Sequence, residues 1–460
     1  MRILQLNTYD AGGGAEAVAT RLHAAYRSAG NTAWFGVKRK RGTAEGVFAI
    51  PRSRGYGIWG RSLLDLADRL GGSANGMRGA SALAAALSAA ARPGAWVDRM
   101  RGLEDFRFPA TRDLAALTPV PPDVVQCHNL HGGYFDLGAL AHLSRTLPVV
   151  LTLHDGWLLS GHCAHSFDCE RWRTGCGSCP DLDIYPAVRR DATAANWARK
   201  RDVYRGSRLF VAAPSRWLLD RARQSMLADG IVDSRVIENG IDDAFFAARD
   251  RAATRTALGI GPDDVILAFA SNTVRCNMWK DFPTLRSAAA KIAESLSPHR
   301  RVVLMALGEC APEERAGAAV IRYCGFLHNP SDVAAYLRAA DFYVHATRAE
   351  TFSLSVAEAM ACGTPVIATA VGALTERIRS LALACTAAGV ETADVDAATG
   401  VLVAPQAPDA IAAATLALLD DPALARRIGE NAAAEARVRY TMQRQASAYL
   451  EWFERLVAAR

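Results

Sequence analysis

The stretch from Phe342 to Thr369 constrains the fold of this chain more than any other. It opens on a β-type apolar run, Phe342-Tyr-Val-His345, and passes through a short polar turn. It then enters a helix-favouring segment and closes on Gly363-Thr-Pro365 before a second apolar run, Val366-Ile-Ala-Thr369. Glycine and proline punctuate such a pattern, and the reading is strand, loop, helix, strand. In an open α/β sheet the loop at the carboxyl end of the first strand and the first turn of the helix face the ligand crevice. Glu350 falls on that loop and Glu358 within the helix, while Phe352, Ser353 and Leu354 stand at the helix start. Unpaired amides there attract an anion such as a diphosphate. A glutamate on an α/β helix is ordinarily a solvated surface group. Here Val356, Ala357, Ala359, Met360, Ala361 and Cys362 surround Glu358, and a carboxylate so embedded needs a hydrogen-bonding partner. The hydroxyls of a bound ligand would supply one.

The same alternation runs along the rest of the chain. Apolar runs at 3–6, 33–37, 124–127, 149–153, 209–213 and 235–237 read as strands, with a glycine run Gly12-Gly-Gly14 and a helix over 15–29 after the first. The turn Glu238-Asn-Gly-Ile-Asp242 and a charged connection to about Gly261 follow. A second set then begins, at 265–270, 301–306, 320–323, 342–345, 365–369 and 400–403. Strands alternating with helices imply a parallel, doubly wound α/β sheet. A chain of 460 residues is too long for one core, so two such units in tandem are expected. The divisions expected are 1–245, 246–440 and a closing helical run over 441–460, with residues 381–399 as an insertion.

The amino terminus turns polar and glycine-rich after six residues, which reads as a first strand rather than a secretory leader. No run of eighteen apolar residues suggests a spanning helix; the nearest candidate, 81–91, is alanine-rich and ends at Arg92. A cytoplasmic protein is expected. The net charge is +6, concentrated in Lys38-Arg-Lys-Arg41 and in arginines between 52 and 112. Such a patch suits anionic substrates or peripheral contact with an anionic membrane, with a solvated face as the alternative. Nucleic acid is not an expected partner, because no recognition-helix, finger or RNP-like pattern accompanies those residues.

The two glutamates and the following Glu358-Ala-Met-Ala-Cys-Gly-Thr-Pro-Val-Ile367 resemble the E-x7-E signature of retaining glycosyltransferases of family 4. The resemblance implies the GT-B fold: two Rossmann-like domains facing across a cleft, the first on the acceptor side and the second binding a nucleotide-sugar. The Asn-Gly-Ile-Asp turn is similar to the one that precedes the family's interdomain linker, and the closing helix would cross back to the first domain. Arg275-Cys-Asn-Met-Trp-Lys280 resembles the family's R-x4-K element, which grips the donor diphosphate without a catalytic metal. Cleaving a sugar from a diphosphate leaves negative charge that such cations stabilise. Asp281 stands where the family usually has glycine, as do Thr351 and Ser353 around the phenylalanine.

By the same resemblance, Glu358 would hold the nucleotide ribose and Glu350 the hydroxyls of the donor sugar. Gly13 and Gly14, whose lack of a side chain permits close backbone approach, would face the donor diphosphate and the acceptor. His154, in Thr152-Leu-His-Asp155 at a strand end, could hydrogen-bond a sugar hydroxyl as a neutral imidazole; a structural capping role is the alternative. His128 and His131, in His128-Asn-Leu-His-Gly-Gly133, are weaker candidates.

Cys163, Cys169, Cys176 and Cys179 fall within an expected insertion at about 160–185. Four thiolates at such spacing suit a closed structural zinc site, with free thiols or redox chemistry, or an iron–sulfur cluster, as alternatives. Cys169-Glu-Arg-Trp172 is similar to a neighbourhood in a subset of family 4. The whole pattern implies transfer from a UDP- or GDP-sugar to a glycan or lipid-linked acceptor, in cell-surface polysaccharide synthesis at the inner face of a bacterial membrane. Rival readings are a phosphorylase or sugar-phosphate synthase of the same fold, a nucleotide-sugar epimerase and a non-catalytic sugar-nucleotide sensor.

Overall fold

The computed structural model describes residues 1–72, 79–248, 250–297 and 299–459. Arg78 of the basic stretch, Arg249 of the charged connection and Arg460 of the closing run therefore lie outside the described residues. The chain divides into two compact units. One comprises Met1–Pro214, Leu218–Ile237 and Ala446–Arg460, the other Ser215–Trp217 and Glu238–Gln445.

The first unit is built on seven strands: β1 (Arg2–Tyr9), β2 (Thr32–Arg39), β3 (Val47–Ala49), β4 (Val124–Cys127), β5 (Val149–Thr152), β6 (Leu209–Ala213) and β7 (Ile231–Val236). They lie in the order β3-β2-β1-β4-β5-β6-β7, and every pairing is parallel. Strands β4 and β5 are buried throughout, as continuous apolar runs in a sheet covered on both faces should be. Strand order reverses between β1 and β4, and the carboxyl ends at such a switch point open the crevice where ligands bind. Two polar side chains inside the sheet are satisfied: the Gln126 amide donates to Thr152 Oγ1 at 2.9 Å and its oxygen accepts from the Tyr26 hydroxyl at 3.0 Å. From Ala446 the closing helix belongs to this unit, held by Trp452 Nε1 donating to Asp233 at 2.9 Å and by Tyr449 against Thr152 at 3.2 Å. Three helices, Ile58–Gly72, Ala80–Ala91 and Pro93–Met100, fill the connection between β3 and β4, the first two packed on each other.

The second unit holds nine strands: β8 (Val265–Ala270), β9 (Val302–Leu307), β10 (Glu314–Ala316), β11 (Ala319–Cys324), β12 (Phe342–His345), β13 (Val366–Thr369), β14 (Ser380–Leu381), β15 (Thr392–Ala393) and β16 (Gly400–Val403). Their order is β10-β11-β9-β8-β12-β13-β16-β14-β15, parallel except for the β10–β11 hairpin. Side chains alternate between two cores. One face packs against helices Pro330–Ala339 and Leu354–Ala361, the other against Phe282–Ser295 and Pro408–Asp420. Each unit is thus a Rossmann-like, doubly wound α/β body.

Some elements differ from expectation. Strand β7 starts four residues before the expected 235–237 segment, at Ile231. The 381–399 segment, read as an insertion, carries β15 and, with β14, extends the edge of the second sheet.

Candidate active site

At the carboxyl end of β12, the loop bearing Glu350 is stitched to the segment bearing Lys280. Thr347 and Lys280 form an antiparallel bridge, the Thr347 hydroxyl donates to the Trp279 carbonyl at 2.8 Å, and the Arg348 amide donates to the same carbonyl at 2.9 Å. Asp281, in place of the expected glycine, caps the next helix by accepting from the Thr284 amide at 3.3 Å, a favoured capping residue.

This stitching brings three ionisable side chains together. Lys280 Nζ lies 2.6 Å from Glu350 Oε2 and 3.3 Å from His345 Nε2, and His345 Nε2 is 3.2 Å from the same Glu350 oxygen. The side chains of Lys280 and Glu350 are only 14% and 13% exposed. Burial alone would raise the Glu350 carboxyl, but the Lys280 charge and the His345 hydrogen bond outweigh it and hold the group well below the usual carboxylate range. Burial, with the Lys280 charge second, lowers His345 to about 4. The imidazole is therefore neutral at pH 7, and its contact with Glu350 is a hydrogen bond rather than an ion pair. With the proton on Nε2 it donates to Glu350, and Nδ1 accepts from the Tyr343 hydroxyl at 3.4 Å.

Glu358 is half-buried in the helix Leu354–Ala361. The buried Tyr343 hydroxyl, raised chiefly by burial, lies within electrostatic reach of both Glu358 and Glu350. Ser353 begins the helix in the left-handed region at φ 67° and accepts no capping bond on its side chain. Such a backbone conformation costs a non-glycine residue about 1–3 kcal/mol and recurs at ligand clamps. Phe352 is buried beneath Arg377, whose guanidinium stacks 3.5 Å from the ring and donates through Nε to the Phe352 carbonyl at 2.7 Å. Arg377 is 3% exposed, and its Nη1 has no hydrogen-bond partner among the described residues. A cation under the helix start reinforces the anion preference of its amides. Nothing in the sequence around Arg377 marks it.

The two cations expected to grip a diphosphate, Arg275 and Lys280, are each paired with a carboxylate. Lys280 is engaged by Glu350, and the exposed Arg275 by Glu309, Nη2 to Oε1 at 2.5 Å. Glu309 also accepts from the amides of Val274 and Arg275 at 2.8 and 3.0 Å, which with the Arg275 side chain hold its carboxyl below the usual range. Both cations thus carry a carboxylate partner.

Gly372 fixes the far side of the loop. Its φ is +52°, and a Cβ there would lie 2.2 Å from the Glu350 carbonyl oxygen, which is itself bonded by the Ala373 amide at 3.1 Å. Gly372→Ala is expected to lower stability by at least about 1–3 kcal/mol and to displace Glu350. Chemical denaturation should report the loss, and stability equal to the parent protein would contradict the contact.

The remaining candidates belong to the first unit. His154 Nε2 is 2.9 Å from His128 Nδ1, the rings stack at 5.2 Å, and His128 Nε2 contacts the Gln5 amide at 3.2 Å. Burial lowers His154 to about 4 against the raising effect of Asp155, which leaves the neutral imidazole expected of it. His131 is better oriented than its sequence context suggested: Nε2 meets Asp155 Oδ2 at 2.9 Å and Nδ1 meets the Tyr185 hydroxyl at 3.3 Å. Gly13 and Gly14 open the first helix, but the Gly13 amide donates to its own Glu16 carboxylate at 3.0 Å, so this helix start already holds an anion.

Cys163, Cys169, Cys176 and Cys179 lie within electrostatic reach of one another. Among the described residues no group of three or more His, Cys, Asp or Glu side chains is placed to hold a metal ion. Two of the sulfurs have hydrogen-bond partners. Cys176 Sγ accepts from the Gly161 amide at 3.3 Å, while Cys179 Sγ meets His162 Nε2 at 3.4 Å and donates to the Asp181 carbonyl at 3.3 Å. Burial raises Cys163 and Cys176 to about 11, which keeps both as thiols. Cys169 is half-buried.

Comparison with known proteins bears on both units. Residues 78–245 match the family described as Glycosyltransferase Family 4, and residues 264–421 match Glycosyl transferases group 1. The chain is 29% identical over 259 residues to an Escherichia coli protein named for glycosyl transfer in colanic acid biosynthesis, covering 54% of this chain and 60% of that protein. It is 30% identical over 318 residues to D-inositol 3-phosphate glycosyltransferase 1 of Catenulispora acidiphila, covering 65% of each. The chain therefore spans less than two-thirds of the length of these curated relatives. The crystal structure of Anabaena HepE in complex with UDP and glucose superposes with a TM-score of 0.59 at 18% identity over 99% of both chains. Two doubly wound units, each matched in this way, are those of the GT-B fold. The chain has the GT-B fold and is related to the glycosyltransferases of family 4.

Proposed function

We propose that this protein is a retaining glycosyltransferase that moves a sugar from a UDP- or GDP-sugar to a glycan or lipid-linked acceptor in cell-surface polysaccharide biosynthesis. The observation that carries the reading is the Lys280–Glu350–His345 cluster beside the uncapped helix start at Ser353. The region around 246–440 acts as the donor side and the region around 1–245 as the acceptor side. On donor binding the diphosphate takes the amides of Phe352, Ser353 and Leu354. Lys280 and Arg275 exchange their carboxylate partners for phosphate oxygens, which releases Glu350 toward the donor-sugar hydroxyls. Glu358 accepts from the paired ribose hydroxyls. The bond between the anomeric carbon and the diphosphate oxygen breaks, and the acceptor oxygen bonds that carbon from the same face and gives its proton to the departing diphosphate. Cationic side chains and helix amides stabilise the charge that develops. His154, held neutral, suits a hydrogen bond to a sugar hydroxyl. Gly13 keeps its Glu16 cap, so with Gly14 it shapes the backbone rather than binding the anion.

The UDP and glucose bound by the Anabaena protein support a nucleotide-sugar donor, and the name of the E. coli relative supports a polysaccharide role. No helix among the described residues is long and apolar enough to cross a membrane. The basic stretch supports peripheral contact with the inner face of the membrane from the cytoplasm.

Thermal unfolding against UDP-, GDP- and ADP-sugars tests the donor. A ligand at a hundred times its Kd stabilises the protein by about 2.7 kcal/mol. Glu358→Gln is expected to weaken that donor about 10- to 100-fold, as loss of charge-assisted bonds to hydroxyls should. NMR of the product should show the donor's anomeric configuration preserved. Inversion, or a donor that binds Glu358→Gln as tightly as the parent protein, would refute the reading.

A further inference from the structure

We propose that a pocket in the first unit bounded by Lys38, Arg39 and Arg52 binds the phosphate group of the acceptor, an identification that rests on the transferase reading above. The pocket encloses about 670 Å³, within the range of small-molecule sites. Lys38 and Arg39 close β2, Arg52 follows β3, and Tyr134 follows β4. The site thus stands at the carboxyl ends of parallel strands, where open α/β sheets bind ligands.

Its charges are unevenly matched. Three cations face two carboxylates, Asp65 and Asp68. Arg52 meets Asp68 at 3.0 Å, but the pair is 38% and 50% exposed, so it is a weak one. Neither Lys38 nor Arg39 forms an ion pair among the described residues, and Lys38 Nζ donates to the Gly132 carbonyl at 2.5 Å. Lys38 is exposed as a residue, with its ammonium held against the Gly132 carbonyl. Desolvation lowers its pKa first and the charge of Arg52 second. Like charges gathered beside a pocket favour an anionic ligand, and an arginine beside a lysine suits phosphate oxygens in particular.

The remaining wall is apolar. Phe108, Tyr134 and Ile50 are nearly inaccessible, and Ala67 and Ala84 supply small side chains from two helices. On the first of these helices Ile58 and Trp59 are 86% and 74% exposed, and on the helix after the second Trp96 is 54% exposed. A phosphate carried on a soluble sugar or on a lipid would present the same chemistry to the cations.

Calorimetric titration of the full chain separates these sources. The probes are inorganic phosphate, a hexose 6-phosphate with the free hexose as control, and phosphatidylcholine vesicles with and without phosphatidic acid. Binding of the hexose phosphate but not the hexose assigns a soluble acceptor; binding only of vesicles that carry phosphatidic acid assigns a lipid one. In either case Lys38→Met and Arg52→Gln should each weaken binding about tenfold or more, and the thermal shift produced by UDP should be unchanged. If one variant fails to fold, the other carries the test. Equal binding by folded variants, equal binding of the uncharged probes, or no binding of any phosphate probe would overturn the proposal. If every phosphate probe fails while a UDP-sugar binds, the pocket assignment falls and the transferase reading stands. If a phosphate probe binds while no nucleotide-sugar does, the pocket is an anion site and the transferase reading falls, taking with it the acceptor role.

Discussion

Lys280→Met should cost about 3–5 kcal/mol of folding stability, the usual penalty for removing one partner of a buried ion pair. The loss comes less from the missing attraction than from what remains. Glu350 would keep a carboxylate 13% exposed with only the neutral His345 to bond it, and its pKa would rise as the group takes up a proton to escape that state. The double variant Lys280→Met/Glu350→Leu removes both charges, and apolar replacements of similar volume commonly restore stability. It should return to within about 1 kcal/mol of the parent protein. Function should not return with it. Without the Lys280 ammonium the departing diphosphate lacks one of its cations, and kcat/KM should fall about 10²- to 10³-fold in the single variant, as for loss of one preorganised charge stabiliser, and at least as far in the double variant, which also lacks Glu350. Urea denaturation read beside turnover distinguishes the two effects. A single variant that loses less than about 1 kcal/mol would mean that the pair is solvated, and a double variant that regains activity would remove Lys280 from the chemistry.

That the two cations already hold carboxylates was not legible in the sequence. Glu350 lies 70 positions from Lys280 and Glu309 lies 34 from Arg275, and no local pattern records which side chains a sheet will juxtapose. What could be read was the pattern each core strand imposes on itself. Runs such as Val265–Ala270, buried at all but its last residue, announce a sheet covered on both faces. The strands β3, β10, β14 and β15, at or next to the sheet edges, are two or three residues long, too short for any periodicity. Strand β7 was half hidden because Asp233, Ser234 and Arg235 interrupt its apolar residues. Arg377 had no signal, since its burial depends on Phe352 and Tyr440, both remote in sequence. The cap on Gly13 did have one: Glu16 stands three residues on, at the position from which a glutamate reaches back to the helix start. The cysteines mark the opposite limit. Their spacing permits a metal site, and the loop that carries them has left-handed residues at Phe167, Cys176 and Ser178, a backbone path that spacing does not announce.

Acid should unfold this protein in two stages, and the first belongs to histidines. His345 and His154 have folded pKa values of about 4, against roughly 6.5 in an unfolded chain. Between those values the unfolded state binds more protons, so stability rises with pH there and is lost as pH falls from about 6.5 toward 4. Each group contributes a slope approaching ~1.4 kcal/mol per pH unit. His128 is lowered in the same sense by burial and by His154; because the two rings touch at 2.9 Å, they titrate as a pair. The second stage belongs to the carboxylates that the fold holds low, Glu309 and Asp155 among them and Glu350 foremost. The folded pKa of Glu350 is depressed, so its contribution is complete above the unfolded value of roughly 4.3 and is lost below it, as pH falls toward the folded value. Around His345 stand Lys280, Glu350, Tyr343 and Ser353. Of these only Glu350 titrates in the acid range, which separates the two stages. Denaturation measured from pH 7.5 to 3.5 should therefore show a slope of more than one proton before any carboxylate contributes. In His345→Gln the slope between pH 6.5 and 4.5 should fall by nearly one proton while the steeper loss below 4.5 persists. An unchanged upper slope would mean that His345 is charged, or open to water, beside the glutamate it is taken to orient.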